Sequence, residues 1–268
     1  NESTILAITQ EDWGGKDIHV TSKSDERLLA SYDEEGSLIV KAETPGKYSL
    51  SLSNGADCDL TFEAADSLYS LGKWTLDVDC YGKGDTPNST LHTTRHCGQL
   101  APLSPWNTIE GLGDDVSGIG NYTAVLTMKE GWEQGWGLTL DLGQVTDTYR
   151  LKINNISVPV SQTDTCVDIG TYLKPGENTI EVTVASTLLN AVIASNGESD
   201  TRTPDAYGIL GDVKITPYQW KYIVTNDREA LEMVYRTYRQ LDLKVYTNES
   251  ALELLEALKA AEQTLKNP

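Results

Sequence analysis

Residues 135–158, GWGLTLDLGQVTDTYRLKINNISV, decide the fold because they contain two strand patterns in succession. Apolar and polar side chains alternate over 138–142 and again over 149–153, with a glycine-containing turn between the two runs. A period of two residues is typical of a strand that buries one face. Similar runs recur between residues 71 and 218 at intervals of about ten residues, separated by Gly, Asn or Pro, and this spacing predicts an antiparallel β-sandwich of the jelly-roll type.

The segments on either side of this region carry different patterns. Upstream, short alternating runs separated by turns at Gly36 and Gly55 predict a small β unit over residues 1–68, or the tail of a preceding domain. Downstream, apolar residues recur at helical spacing over 226–268 and predict two amphipathic helices that form a hairpin. The predicted fold is therefore mainly β, with a sandwich over 69–219 between the two flanking segments.

The charge balance argues against two classes of partner. The chain has 40 acidic and 21 basic residues, which give a formal net charge of −19. A field of this sign repels phosphate backbones and anionic lipid headgroups, so we expect neither nucleic-acid binding nor membrane insertion. The aromatic residues are 13 Tyr and 6 Trp against a single Phe. These amphipathic rings are typical of binding surfaces and of platforms for sugars.

Four motifs carry a resemblance to a known family. In chain order they are PWNTIEGLGDDVSGIGNYTAVLTM at 105–128, the stretch 135–158 quoted above, DIGTYLKPGENTIEVTVASTLLN at 168–190 and YGILGDVKITPY at 207–218. Together they resemble the galactose-binding-like jelly roll of bacterial glycoside hydrolases, including the sugar-binding domain of family 2 and the ancillary domain of rhamnosidase-like family 106 proteins. The chain departs from that pattern at Asn154-Asn155, where the family usually has Asn-Gly.

The resemblance implies an ancillary module that binds carbohydrate, or is associated with it, and has no catalytic residues of its own. Catalysis in those enzymes belongs to a separate barrel domain, so the implied partners are a glycan and the catalytic domain of the same polypeptide. With 40 carboxylates in the chain, solvated surface charge explains nearly all of them, and no catalytic pair stands out. The alternative is a structural spacer or scaffold of a cell-surface protein without affinity for sugar.

The last segment, from about Asp227 to the end of the sequence, resembles part of a FIVAR repeat, a three-helix spacer found in Gram-positive surface proteins. Only two of the three helices fit into this segment. The resemblance implies a large bacterial protein that is secreted or attached to the cell wall, so we expect an extracellular location. We also expect the chain to be a piece of that protein and to be a monomer.

The sequence suggests four residues for sugar binding. A sugar site combines an exposed aromatic ring, which lies against the C–H face of a pyranose, with amides and carboxylates that bind the hydroxyl groups. Trp132 and Trp136 flank a predicted loop, and Asn154 and Asn155 occupy a predicted hairpin. We predict all four as carbohydrate-binding residues. For Trp136 the alternative is a ring in the core or at a domain junction.

Two further pairs of residues are candidates for a metal site and for a disulfide. Asp114 and Asp115 are adjacent carboxylates in a predicted loop, and they are the predicted ligands of a structural calcium ion, with simple solvation of the loop as the alternative. Cys80 and Cys97 lie near the ends of two strand-like runs. They predict either a disulfide across a β-ladder or two half-buried free thiols.

Overall fold

The computed structural model describes residues 18–33, 36–64, 69–86, 88–129, 135–224, 227–241 and 247–266. This part of the chain divides into two compact units. The sandwich unit contains the described parts of 42–46 and 62–220, and the accessory unit contains those of 11–41, 47–61 and 221–268. The three-segment domain division drawn from the sequence stays a prediction.

Strands make up most of the regular structure in the described residues. The strands are β1 (Val20–Lys23), β2 (Leu29–Tyr32), β3 (Leu38–Ala42), β4 (Gly46–Leu52), β5 (Asp57–Phe62), β6 (Tyr69–Leu71), β7 (Trp74–Lys83), β8 (Thr90–Leu100), β9 (Gly118–Met128), β10 (Trp136–Asp141), β11 (Thr148–Ile153), β12 (Ile156–Val158), β13 (Cys166–Asp168), β14 (Gly176–Ala185) and β15 (Lys214–Tyr222). The α-helices are α1 (Leu189–Asn196), α2 (Asp227–Tyr238) and α3 (Asn248–Lys266). The predicted fold class, mainly β with a helical C-terminal segment, is confirmed.

The accessory unit combines short strands with the last two helices. Strands β1, β4 and β5 form one sheet, and β2 pairs with β3 in antiparallel fashion. Helices α2 and α3 contact each other. The hydroxyl oxygen of Thr247 accepts a hydrogen bond from the backbone N–H of Ser250 at 3.3 Å, which caps the start of α3. Within the described residues, none of the helices has the length and apolar character needed to cross a membrane.

The sandwich unit consists of two antiparallel sheets. The larger sheet has the strand order β12-β11-β14-β9-β7-β8, and β6 also pairs with β9. The smaller sheet has the order β13-β10-β15. Burial alternates strictly along β9, as the period-two pattern predicts. The buried faces of the two sheets belong to one apolar core, so the predicted sandwich is confirmed.

Leucine, isoleucine and valine fill most of this core. Leu126, Ile180 and Val182 come from the larger sheet, and Leu138 and Leu140 come from the smaller one. Each is at most 1 % exposed, and burial of one such side chain stabilises the fold by roughly 1.5–3 kcal/mol. The alternating runs that define the sequence pattern are therefore also the residues that hold the sheets together.

Trp106 and Tyr122 form a buried polar link between the first and the last of the four family-like motifs. The indole N–H of Trp106 donates to the hydroxyl oxygen of Tyr122 at 2.7 Å, and the backbone N–H of Ile209 donates to the same oxygen at 3.1 Å. A Cβ at Gly120 would lie 2.4 Å from the Trp106 ring, and one at Gly208 would lie 2.5 Å from the indole nitrogen. Both glycines are needed because the tryptophan occupies the space that any side chain would take.

The hairpin between β11 and β12 explains the departure from the Asn-Gly pattern. Ile153 pairs with Ile156, so Asn154 and Asn155 form a two-residue loop. Their φ angles are 52° and 65°, and positive φ at both positions is the requirement of a type I′ turn. Asparagine tolerates this region better than other non-glycine residues. The Asn-Asn pair therefore provides the turn that Asn-Gly would provide.

The four cysteines are free thiols in the structure, so the disulfide considered between Cys80 and Cys97 does not form there. In the β7–β8 ladder, Cys80 lies opposite Thr93, and Cys97 falls in the irregularity where the register shifts. Four residues along a strand span about 13 Å. A disulfide requires Cα atoms within about 7 Å of each other. The register of the hairpin therefore keeps the two thiols apart.

Candidate functional site

A cleft of about 230 Å³ opens beside the β7–β8 hairpin in the sandwich unit. It lies next to helix α1, which contacts β7. The lining consists of residues 80–83 of β7, of Leu91, Thr93 and Arg95 of β8, of Asp115, and of Ala191, Ala194 and Ser195 of α1. The cleft is therefore built from regular elements and one loop residue, which gives its walls a defined geometry.

The alternation of the strands decides which side chains face the cleft. Cys80 is buried and lies opposite Thr93, so both point to the inner side of the sheet. Gly82 lies opposite Leu91 two residues further along, on the same side. A Cβ added at Gly82 would meet no atom within 4 Å, and its φ lies outside the left-handed region. The absence of a side chain at Gly82 thus leaves part of the cleft open.

Strand β8 supplies the second wall because it is the outermost strand of the larger sheet in the part of the chain that the structure describes. Leu91 is 55 % exposed, which is unusual for a leucine on the inner side of a sheet. On the opposite side, the rings of Tyr81 and His92 pack edge to face with their centroids 4.5 Å apart. This aromatic contact supports the far end of the hairpin without entering the cleft.

Arg95 and Asp115 form a loose ion pair at the cleft. One terminal nitrogen of Arg95 lies 3.7 Å from a carboxylate oxygen of Asp115, which is close enough for attraction but too long for a direct hydrogen bond. The other terminal nitrogen donates to the backbone oxygen of Gly111 at 3.3 Å. Both side chains are partly exposed, 36 % for Arg95 and 55 % for Asp115. The pair therefore presents both a hydrogen-bond donor and an acceptor to a ligand.

Apart from Lys83, the remaining lining residues are apolar, hydroxyl-bearing or neutral. Leu91, Ala191 and Ala194 offer aliphatic surface, and Thr93 and Ser195 offer hydroxyl groups. Burial raises the pKa of the Cys80 thiol, so this group is protonated at neutral pH and is a poor nucleophile. The cleft combines aliphatic contacts with a few polar groups, which is the usual composition of a small-molecule binding site.

The predicted aromatic residues lie away from this cleft or outside the described chain. Trp132 lies outside the described residues. Trp136 begins β10 and is only 8 % exposed. In the register of the smaller sheet it pairs with Gln219 of β15. Its side chain is therefore buried, and its part in sugar binding stays a prediction.

Asn154 has a structural role in addition to its predicted one. Its amide nitrogen donates to the backbone oxygen of Tyr172 at 3.1 Å and to the side-chain oxygen of Asn178 at 2.9 Å. Its amide oxygen accepts from the backbone N–H of Thr179 at 3.1 Å. These bonds attach the hairpin to β14 and to the turn before it. Asn155 is exposed beside it, and the assignment of both residues to a sugar site stays a prediction.

The predicted calcium ligands have other partners in the structure. The side-chain oxygen of Asp114 accepts a hydrogen bond from the amide nitrogen of Asn107 at 3.0 Å, and Asp115 lies beside Arg95. Both aspartates are exposed. Among the described residues, no group of three or more His, Cys, Asp or Glu side chains is arranged to hold a metal ion. Calcium binding at this loop stays a prediction.

Sequence reasoning did not identify Lys83, Arg95 or helix α1 as parts of a site. The walls of the cleft come from segments about 100 residues apart, and only the fold brings them together. One signal was present. Residues 90–100, TLHTTRHCGQL, contain an arginine and two histidines but no acidic residue, although the chain as a whole is strongly acidic. A strand that carries positive charge in an otherwise acidic chain is a candidate for an interaction surface.

Comparisons with known proteins identify no family. No family model matches the chain. No curated protein matches it either. Three solved structures are similar to it over part of their length. One is a rhamnosidase from Novosphingobium sp. PP1Y, with a TM-score of 0.41 and 17 % identity, over 76 % of this chain and 25 % of that chain.

The other two are also glycoside hydrolases by name. An FMN-binding β-glucuronidase from F. prausnitzii L2-6 has a TM-score of 0.33 and 13 % identity, over 57 % of this chain and 23 % of that chain. A β-porphyranase of glycoside hydrolase family 86 from the human gut bacterium Bacteroides plebeius has a TM-score of 0.19 and 10 % identity, over 75 % and 38 %. The chain thus spans about a quarter of the first two proteins and less than half of the third.

Proposed function

We propose that this chain is a non-catalytic carbohydrate-binding module that accompanies a catalytic domain in a large extracellular bacterial glycoside hydrolase. The observation that carries the proposal is the composition of the cleft beside β8. It places aliphatic surface, hydroxyl groups and a donor–acceptor pair around one small volume. The family-like motifs in the sequence support the same function, because they resemble those of a sugar-binding jelly roll.

A sugar ring matches these groups in chemistry and in size. A pyranose has an apolar C–H face and a rim of hydroxyl groups. Leu91 and the two alanines of α1 suit the C–H face, and Arg95 and Asp115 suit neighbouring hydroxyls as donor and acceptor. At about 230 Å³ the cleft is smaller than the roughly 300–1,000 Å³ of sites for drug-sized ligands. We therefore expect one sugar unit in the cleft and not a long oligosaccharide.

The physical role of such a module is to raise the local concentration of its partner. Weak binding of a single sugar unit holds a linked catalytic domain near the glycan, and the gain comes from effective concentration and not from a tight single site. A shallow cleft with partly exposed charged groups suits weak, reversible binding, because solvent competes with the ligand for each polar contact.

The second candidate is a scaffold domain without affinity for sugar. It is favoured by Asn154 and Trp136, because the amide of Asn154 bonds within the fold and the ring of Trp136 is buried. Under this alternative, the sandwich spaces or supports a neighbouring domain. The polar groups of the cleft are then solvated surface.

Two matched glycine variants separate the candidates. Gly82→Leu places a side chain into the cleft, whereas Gly211→Leu adds the same side chain at another half-buried glycine whose Cβ would also meet no atom within 4 Å. Titration calorimetry against a panel of neutral and acidic monosaccharides is expected to give saturable binding to the natural chain and to Gly211→Leu, but not to Gly82→Leu. No binding of any sugar to the natural chain would leave the scaffold function.

A further inference from the structure

The side chains of strand β8 that line the cleft change in character along the strand. Leu91, Thr93 and Arg95 occupy alternate positions, so their side chains lie on the same face, and that face lines the cleft. In that order they are apolar, hydroxyl-bearing and charged. Four residues along a strand span about 13 Å, so Leu91 and Arg95 begin at opposite ends of the row. The cleft therefore has an apolar end and a polar end.

The polar end is fixed by the contacts of the guanidinium group of Arg95. One terminal nitrogen donates to the backbone oxygen of Gly111 at 3.3 Å, and the other lies 3.7 Å from a carboxylate oxygen of Asp115. These contacts hold the donors of Arg95 beside the loop that follows β8. The hydroxyl groups of a sugar ring that bond to Arg95 and Asp115 must therefore lie at this end of the cleft.

The apolar end offers exposed aliphatic surface. Leu91 lies opposite Gly82 in the β7–β8 ladder, and a Cβ at Gly82 would meet no atom within 4 Å. Because the opposite position of β7 has no side chain to cover it, Leu91 remains 55 % exposed. Helix α1 adds two small aliphatic side chains to the lining, Ala191 and Ala194. The space above Gly82 can therefore accept an apolar group that contacts Leu91.

From this arrangement we propose that the sugar unit bound in the cleft carries an apolar substituent, which lies against Leu91 above Gly82. The inference rests on the proposed carbohydrate-binding function and specifies its ligand class. A ring whose hydroxyl groups bond to Arg95 and Asp115 covers the middle of the row at Thr93, and its substituent extends to the leucine. Two kinds of sugar supply this chemistry: a 6-deoxy sugar, through its methyl group, and a glycoside with an aliphatic aglycone.

The size of the expected preference follows from the burial of the substituent. Each methyl or methylene group that leaves water for apolar contact is expected to tighten binding about fourfold, equivalent to about 0.8 kcal/mol. Burial of apolar surface also makes the heat-capacity change of binding more negative. The substituent carries no charge, so the preference is expected to be the same at low and at high salt.

The test compares sugars that differ only in the substituent. Methyl 6-deoxygalactoside and propyl galactoside are each titrated against methyl galactoside by calorimetry at several temperatures, and the same comparison is made with the glucosides. At least one kind of substituted sugar is expected to bind about fourfold or more tightly than its methyl glycoside, with a more negative heat-capacity change. A gain for the 6-deoxy sugars identifies the methyl group as the substituent, and a gain for the propyl glycosides identifies an aglycone.

Two matched variants show where the substituent lies. Leu91→Ala removes aliphatic surface at the apolar end and is expected to weaken binding of the substituted sugar more than binding of the methyl glycoside, so that most of the preference disappears. Ile156→Ala is the control because Ile156, on β12 of the same sheet, is 54 % exposed and does not line the cleft. It is expected to leave the preference unchanged.

The outcomes distinguish this inference from the function on which it rests. If substituted sugars bind no more tightly than the methyl glycosides and Gly82→Leu abolishes both, the apolar substituent is wrong and the carbohydrate-binding function stands. If the preference is present but is the same in Leu91→Ala, the substituent contacts another surface and the inference is again wrong. If no sugar of either kind binds, the carbohydrate-binding function itself fails.

Discussion

Replacement of Gly137 by alanine tests how the smaller sheet packs. Gly137 lies on β10, directly opposite Tyr218 of β15. A Cβ at this position would stand 2.2 Å from the ring carbon Cζ and 2.3 Å from the hydroxyl oxygen of Tyr218, distances that real Cβ contacts essentially never reach. The strand pairing holds the backbone of both residues in place. The tyrosine side chain must therefore leave its position.

The cost of that displacement follows from the contacts of Tyr218. Its ring is only 6 % exposed, and its hydroxyl lies 2.6 and 2.8 Å from the two carboxylate oxygens of Asp168. Burial and the neighbouring carboxylate both raise the pKa of the tyrosine, so it remains a hydrogen-bond donor. Overpacking costs about 1–3 kcal/mol. A hydrogen bond to a charged group is worth about 1.5–3 kcal/mol. Because Asp168 is exposed and water can replace its partner, we expect Gly137→Ala to lower the free energy of unfolding by about 2–4 kcal/mol.

Urea unfolding followed by tryptophan fluorescence measures this change, with Gly82→Ala as the control. Gly82 is also a strand glycine, but a Cβ there meets no atom within 4 Å, so we expect a change of at most about 1 kcal/mol, in the stabilising direction. Tyr218→Leu in the Gly137→Ala background removes the ring, and the two losses are expected to be less than additive. Similar small losses for both glycine variants, or strict additivity of the double variant, would refute the packing argument.

Three further predictions concern Tyr122 and the aspartate loop. Tyr122→Phe leaves the N–H groups of Trp106 and Ile209 without their partner and is expected to lower the free energy of unfolding by about 2–4 kcal/mol in urea titrations. Burial raises the pKa of Tyr122 to about 12. The contribution of its hydroxyl to the free energy of unfolding is therefore complete below pH 10 and is lost as the pH rises through 12. In that pH range the free energy of unfolding is expected to depend less on pH in Tyr122→Phe than in the natural chain. If Asp114 and Asp115 bind calcium, millimolar CaCl₂ raises the melting temperature of the natural chain but not of Asp114→Asn, and equal melting temperatures with CaCl₂ and with EDTA would contradict that prediction.

The sandwich could be predicted from the sequence because each of its strands is recognisable from the alternation of apolar and polar residues within the strand itself. The alternation over 138–142 and 149–153 places the apolar residues on one face of each strand, whatever the strand pairs with. The structure turns these runs into β10 and β11 with the expected faces buried. The turn at Asn154-Asn155 is local in the same sense, since two residues that tolerate positive φ suffice to form it.

The cleft could not be predicted because its lining residues are far apart in the sequence and come together only in the folded chain. Helix α1 follows β14 in a segment that shows only an apolar neighbourhood in the sequence, and its function in the fold is to contact β7, more than 100 residues earlier. Arg95 was not a candidate because its partner Asp115 lies beyond a loop and was assigned to calcium instead. The alternation of side chains along β8 predicts that Arg95 and Thr93 lie on the same face of the strand, but it does not predict which residues pack against that face.

The cleft and the packing clusters use different residues, and this separation makes the binding experiments interpretable. The links between strands depend on buried groups such as Trp106, Tyr122 and Tyr218. Gly82 contributes to the cleft but belongs to no buried cluster of the described chain. We therefore expect a substitution at Gly82 to change the free energy of unfolding by no more than about 1 kcal/mol. Loss of sugar binding in Gly82→Leu, with an unfolding midpoint close to that of the natural chain, therefore reports on recognition in the cleft and not on damage to the fold.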